Sequence, residues 1–332
     1  MKKVLESEED FVERFKGNSK TRDIQGHTAK VHSVDWNCDG RRLASGSYDK
    51  MVAVYNLERD RLSKETLFRG HTESVDQLCW HPRLPDILGT ASLDKTVRFW
   101  DIRSNRCVST IATKGENINM CWSPDGKTVA VGDKQDLVTF IDFRAKKIRQ
   151  EHKFGFEVNE ISWNNDNDLF FLTSGTGKVH VLSYPQLLTQ AILAAHPATC
   201  ISIEFDRTGK HFAVGAGDAM VSIWDANHLC CLRTVNRLEY PARTISFSFD
   251  GKLLASASED LTIDICHVET GNKVGEIPTD SSTFTVAFHP KKYLLAFACD
   301  DKETFYTRDQ RGDQKGVRDA GTVKVFGFHG EA

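Results

Sequence analysis

The sequence predicts an all-β protein, a closed ring of seven four-stranded blades, and two observations carry that prediction. The first is a repeat: an aromatic residue ends an apolar stretch at Trp36, Trp80, Trp122, Trp163, Phe205, Phe247 and Phe288. The intervals between them are 44, 42, 41, 42, 42 and 41 residues, and a period of about 40–45 residues is that of a propeller blade. The second is a mismatch between the ends. The seventh repeat runs out after three strands, while a strand-like segment at 20–25 precedes the first repeat. Pairing the two completes the last blade and removes an exposed sheet edge that would invite aggregation.

Taken in chain order, residues 1–18 form an N-terminal extension. Val4, Phe11, Val12 and Phe15 fall on one helical face with Glu6, Glu8, Glu9, Asp10 and Glu13 elsewhere, which predicts a short amphipathic helix. Packing beneath the ring and docking on a partner are both open to it. Arg14 and Lys16 near its end suit the helix dipole. Residues 19–328 are the propeller, one domain with no linker-like gap, and 329–332 are a tail.

The second repeat shows the blade most fully. Gly70-His71 opens it, Ser74–Trp80 is the inner strand, and Ile87–Ser92 the next. Leu93-Asp94-Lys95 is a tight turn, Thr96–Asp101 the third strand and Cys107–Ile111 the outer one. Alternation of apolar and polar residues marks these runs as strands. Gly-His and Trp-Asp dipeptides at this spacing are the signature of WD40 repeats, so the ring is a seven-bladed WD40 β-propeller. His71, Ser92 (or Thr90), Asp94 and Trp100 can join in a buried polar chain from turn to sheet. The same residue types would serve a Ser-His-Asp hydrolase, but they occupy structural positions of the repeat and read as staples.

Other blades keep part of this set. Blade 1 has His27, Ser45 or Ser47, and Asp49, with Tyr55 in place of the indole. Blade 5 has His196, Asp218 and Trp224, with Ala216 where a hydroxyl is expected; blade 6 keeps Ser258 and Asp260, with Cys266 replacing the indole. In blade 7 the turn between strands two and three is replaced by 301–320, a stretch with ten charges that predicts a solvated loop.

Composition excludes several classes of function. A net charge of −3 and a pI near 6.5 give no global attraction to nucleic acid, so any RNA contact is weak, local or indirect. No apolar run reaches the length of a membrane span, and the lysines at Lys2 and Lys3 precede no apolar stretch of a secretory signal. The nine cysteines show no metal spacing and read as reduced thiols. No phosphate-binding loop, zinc-protease motif, nucleophile elbow or dinucleotide fingerprint is present. The chain is therefore expected to be no enzyme, with no cofactor, no metal and no small-molecule substrate. Trp100-Asp101-Ile102-Arg103 has the WDxR form resembling the box of WD40 substrate receptors for cullin-type ubiquitin ligases, which stands as the alternative function.

Several strings are more specific. They include Ala29–Val34, Asp39–Ser47, Ser74–Pro82, Lys114–Asn119, Phe156–Asn167, Leu295–Lys302 and Gly321–Gly327. Together these resemble the WD-repeat subunit (subunit 3) family of the THO complex, part of the transcription–export (TREX) assembly, from about Phe15 to Gly327. The resemblance implies a nuclear, non-enzymatic scaffold acting in mRNA processing and mRNA transport. It implies the other THO subunits as partners, among them a large helical scaffold, and through them a DEAD-box helicase and an export adaptor. The candidate partner contacts are turn-face residues: His32, Tyr48, Leu93 and Glu259. The insertion at 301–320 departs from the shorter loop of that family.

Overall fold

The computed structural model describes residues 7–300, 307–308, 314–315 and 320–329. The solvated loop expected at 301–320 falls almost wholly outside them. Seven four-stranded antiparallel sheets make up the ring, six of them formed by four strands consecutive in sequence. The seventh is composite. Its strands run Thr283–Phe288, Leu295–Cys299, Thr322–Phe328 and Lys20–Gln25 from the inside outward, with Thr21 paired to Phe326 and Ile24 to Val323. A segment near the start of the chain thus closes the ring.

The aromatic residue that sets the repeat also joins one blade to the next. Its ring is buried between two sheets, half-buried for Phe205, and in the first three blades its indole N–H donates backwards, whereas the buried Trp163 indole makes no such bond. Trp36 donates to the Ala287 carbonyl (3.2 Å), Trp80 to Asp35 (3.0 Å) and Trp122 to Cys79 (3.1 Å). Burial alone would let the sheets slide past one another. These directional bonds fix their stagger. Phe205, Phe247 and Phe288 keep the ring but lack the donor, so blades 5–7 rely on apolar packing and on the channel contacts described below.

Helix α1 (Glu8–Gly17) begins with Ser7 as N-cap, in a reciprocal capping box with Asp10. Its first turn is acidic and its last carries Arg14 and Lys16, both favourable to the helix dipole. Phe11 is fully buried and Phe15 nearly so, in one cluster with residues of blades 6 and 7 such as Ile265, Val274 and Phe326. So short a helix is marginal alone; the two phenylalanines fasten it over the outer strand of blade 6.

Candidate interaction surface

On the face where each outer strand leads into the next blade, loops and tight turns are clamped by buried polar chains. In blade 2, His71 Nδ1 lies 2.8 Å from Asp94 and Nε2 lies 2.8 Å from Thr90 Oγ1. The Trp100 indole donates to the same hydroxyl at 3.0 Å. The indole can only donate, so the hydroxyl proton goes to Nε2 and Nδ1–H goes to the carboxylate. The linking hydroxyl is therefore Thr90 and not Ser92. Ser92, at the strand end, donates to the Glu73 carbonyl and accepts from the Asp94 amide, both at 3.1 Å; it shapes the turn.

Blade 1 repeats the chain with different chemistry at its end. His27 meets Asp49 at 3.1 Å and Ser45 at 2.7 Å, and Ser45 meets the Tyr55 hydroxyl at 3.0 Å. Gly26 is required beside it: a Cβ there would lie 1.6 Å from the Tyr55 oxygen. Blade 5 finds its hydroxyl on the third strand, where Ser222 links His196 (2.8 Å) to Trp224 (2.7 Å), with Asp218 at 3.0 Å from His196. In blade 6, Asp260 accepts from Ser258 (2.6 Å) and from the amides of Glu239 and Tyr240. Arg237 and Asp264 make a two-pronged pair at 2.7 Å in the place of the missing histidine.

Burial opposes ionisation of the turn carboxylates, but their hydrogen bonds win. Asp49 is lowered to about 2, with burial outweighed by His27 and the amides of Thr28 and Met51. Asp94 is held well below the carboxylate range by His71, Thr96 and the Thr72 amide against the same burial. The carboxylates thus stay charged, and each ties a loop amide to a turn. The Thr90 hydroxyl is wholly buried and committed, so it presents no nucleophile to a solvent-borne substrate.

The central channel is lined by the inner strands, and side chains there bridge blade to blade. Asp35 accepts from the Trp80 amide (2.8 Å), Ser33 from Leu78 (3.3 Å), Thr285 from Val34 (3.0 Å) and Ser246 from Phe288 (3.1 Å). Glu204 accepts from the Phe247 amide at 3.3 Å. Burial raises three channel carboxyls: Asp35 to about 6, Glu160 to about 7 and Glu204 to about 8. The charge of Arg207 at the far mouth partly offsets this for Asp35 and Glu204. Nothing in the sequence singled these residues out. Among the described residues no group of three or more His, Cys, Asp or Glu could hold a metal ion.

The four candidate contacts all lie on the turn face, but they do not form one cluster. Tyr48 is 64% exposed, with the His32 ring 6.3 Å away at the channel mouth. Glu259 is tied to Arg243 at 2.6 Å. Leu93 stands apart, half-buried in its turn. Sequence reasoning missed the strip between them: Lys30 and Arg243 flank the Phe284 ring at 3.7 and 5.4 Å, and Lys30 pairs with Asp300 at 3.1 Å. This strip links blades 6, 7 and 1. On the rim, Arg103 of the WDxR string pairs with Asp101 (3.0 Å) and approaches Asp86 (3.6 Å).

Seven blades, internal polar clamps and a broad rim define a WD-repeat propeller, a class whose business is to hold other macromolecules. The chain matches the THOC3 beta-propeller domain over residues 27–298. It is 48% identical to THO complex subunit 3 of Arabidopsis thaliana, over 93% of this chain and 95% of that protein. It is 31% identical to WD repeat-containing protein AAC3 of Dictyostelium discoideum, over 96% of this chain and 69% of the relative. WD repeat-containing protein 82 of Drosophila melanogaster follows at 24%, over 86% and 93%. The chain belongs to the family of THO complex subunit 3 propellers.

Proposed function

We propose that this ring is a non-enzymatic scaffold subunit of a nuclear THO complex, coupling transcription to mRNA processing and export. The near full-length likeness to THO complex subunit 3 carries the proposal, and the committed polar chains support it, since they leave the histidines and carboxylates no catalytic freedom. The partners are the other THO subunits, with the turn face docking on helical segments of a large scaffold subunit. A helicase and an export adaptor are reached through those subunits, and RNA contact is indirect. The staples His27, Asp49, His71, Asp94, Trp100, His196, Asp218, Trp224 and Asp260 hold the loops that present this face, with Ser92 supporting a turn. The ubiquitin-ligase reading is not favoured: Arg103 is neutralised by its own neighbours.

Affinity purification from nuclear extract tests the reading directly: the other THO subunits co-purify. A folded Tyr48→Ala, Leu93→Ala, Glu259→Ala triple variant is expected to recover less of the scaffold. Unchanged recovery rejects the turn face as the docking surface. Loss of binding on Arg103→Ala alone, with a ligase adaptor among the lost proteins, would favour the receptor instead.

A further inference from the structure

Among the described residues, every blade ends in an outer strand whose outward N–H and C=O groups have no neighbouring strand, and soluble proteins protect such edges with charge or cover. Six of the seven are protected. Charged residues lie within the outer strands of blades 1, 2, 3, 5 and 7, at Lys64 and Glu65, Arg106, Lys147 and Arg149, Arg233, and Arg22 and Asp23. On blade 2, Lys146 also donates to the Val108 carbonyl at 3.0 Å. Blade 6 carries Lys273 and Glu276 and lies under helix α1. Among the described residues, blade 4 has neither device. Its outer strand, Thr189–Ala194, is uncharged, and no Lys, Arg, Asp or Glu occurs between Lys178 and Glu204. Leu188 and Ile192 on this edge are 63% and 53% exposed.

A row of aromatic rings adjoins this edge. Ile192 pairs in register with His180, so their side chains share one face of the sheet. His180 stacks on Phe156 at 3.8 Å, followed by Phe154 and His152 at successive ring separations of 5.3 and 4.6 Å. Lys178, two positions before His180, shares its face by register, and Lys147, Arg149 and Lys153 are exposed cations of the blade 3 strand that carries His152. Glu151, the acid within that strand, is already paired with Lys114.

We propose that the outer strand of blade 4 is a strand-addition site for an extended acidic segment of a partner protein, with aliphatic side chains at alternate positions. The backbone of the segment pairs with Thr189–Ala194, its aliphatic residues lie over Ile192 and the His180–Phe156 stack, and its carboxylates meet the surrounding cations. This is how a sheet edge recognises a peptide: main-chain bonds supply affinity and alternate side chains supply selection. Charge decides against a second copy of this chain as occupant. Antiparallel self-pairing is related by a two-fold axis normal to the sheet, which sets both copies' basic blade-3 strands on the same side. The site lies on the outer edge, away from the turn face, and stands whether or not the export reading holds.

The probe is a fluorescein-labelled peptide of alternating glutamate and valine, titrated into the full chain and followed by fluorescence polarisation. Hydrogen exchange of residues 189–194 is read in parallel. Expected are saturable binding, slowed exchange confined to that strand, at least tenfold weaker binding by Ile192→Glu, and no binding of a lysine–valine peptide. Ile192 is exposed, so its replacement leaves the fold intact. Failure of the acidic peptide to bind, equal binding by the variant, or protection elsewhere overturns the proposal. So does a dimer of the free chain that Ile192→Glu dissolves, which would make a second copy the occupant, or displacement of the peptide by single-stranded RNA.

Discussion

Replacing Thr90 by valine conserves shape and removes one oxygen. That oxygen accepts from the Trp100 indole at 3.0 Å and bonds His71 Nε2 at 2.8 Å, so the change strands a donor and an acceptor in a buried site. Each stranded group costs about 1–3 kcal/mol, and the added methyl group returns about 0.8 kcal/mol through burial. A net loss of about 3 kcal/mol is expected, a large part of the roughly 5–15 kcal/mol that holds a protein folded. With an unfolding entropy of about 2.1 cal/mol/K per residue, a ring of this size should melt about 4 °C lower. Urea denaturation and calorimetry of Thr90→Val, Trp100→Phe and the double variant measure it. Because the indole and the hydroxyl satisfy each other, the double variant should be more stable than the sum of the single losses predicts, by at least about 1 kcal/mol. Additive losses, or a Thr90→Val change within about 0.5 kcal/mol of zero, would refute the polar chain. Ser92→Ala, which frees only the Asp94 amide and the Glu73 carbonyl, should cost less.

Two further outcomes are expected. Glu204 is raised by burial to about 8, so between its unfolded pKa and pH 8 the folded chain binds the extra proton and loses stability as pH rises. Glu204→Gln should therefore be the more stable protein at pH 8.5, by about 1–2 kcal/mol after allowing for the wet channel, and indistinguishable at pH 4; equal denaturation midpoints at both pH values would contradict this. Deleting residues 1–26 removes the outer strand of blade 7 and should yield an unfolded or aggregated chain in circular dichroism and size exclusion, whereas deleting 1–18 should cost only the docking of helix α1.

The repeat was legible because each blade needs a ring at the same place, so Trp36 and its six counterparts recur at one interval. Ring closure was legible from a strand left over at one end and a strand missing at the other. Which hydroxyl completes each polar chain was not. Thr90 and Ser92 share a face two residues apart, and only the reach of the Trp100 indole decides between them. In blade 5 the hydroxyl crossed to another strand, Ser222, which spacing cannot reveal. The channel carboxyls Asp35, Glu160 and Glu204 were hidden for a different reason. They occupy the inward positions of alternating strands, where a sequence shows polarity but not what it faces.

The clasp that shuts the ring also sets a clock. Gln25 reaches the Ala320 carbonyl across 295 positions of chain, so this strand, once synthesised, must wait for nearly all the rest of the ring. At roughly 5–20 residues per second that wait is about 15–60 s. As it runs, the nascent blades accumulate to an open arc of six whose two terminal faces are bare. A chaperone that shields those faces would govern the yield of finished protein more than any contact within a single blade.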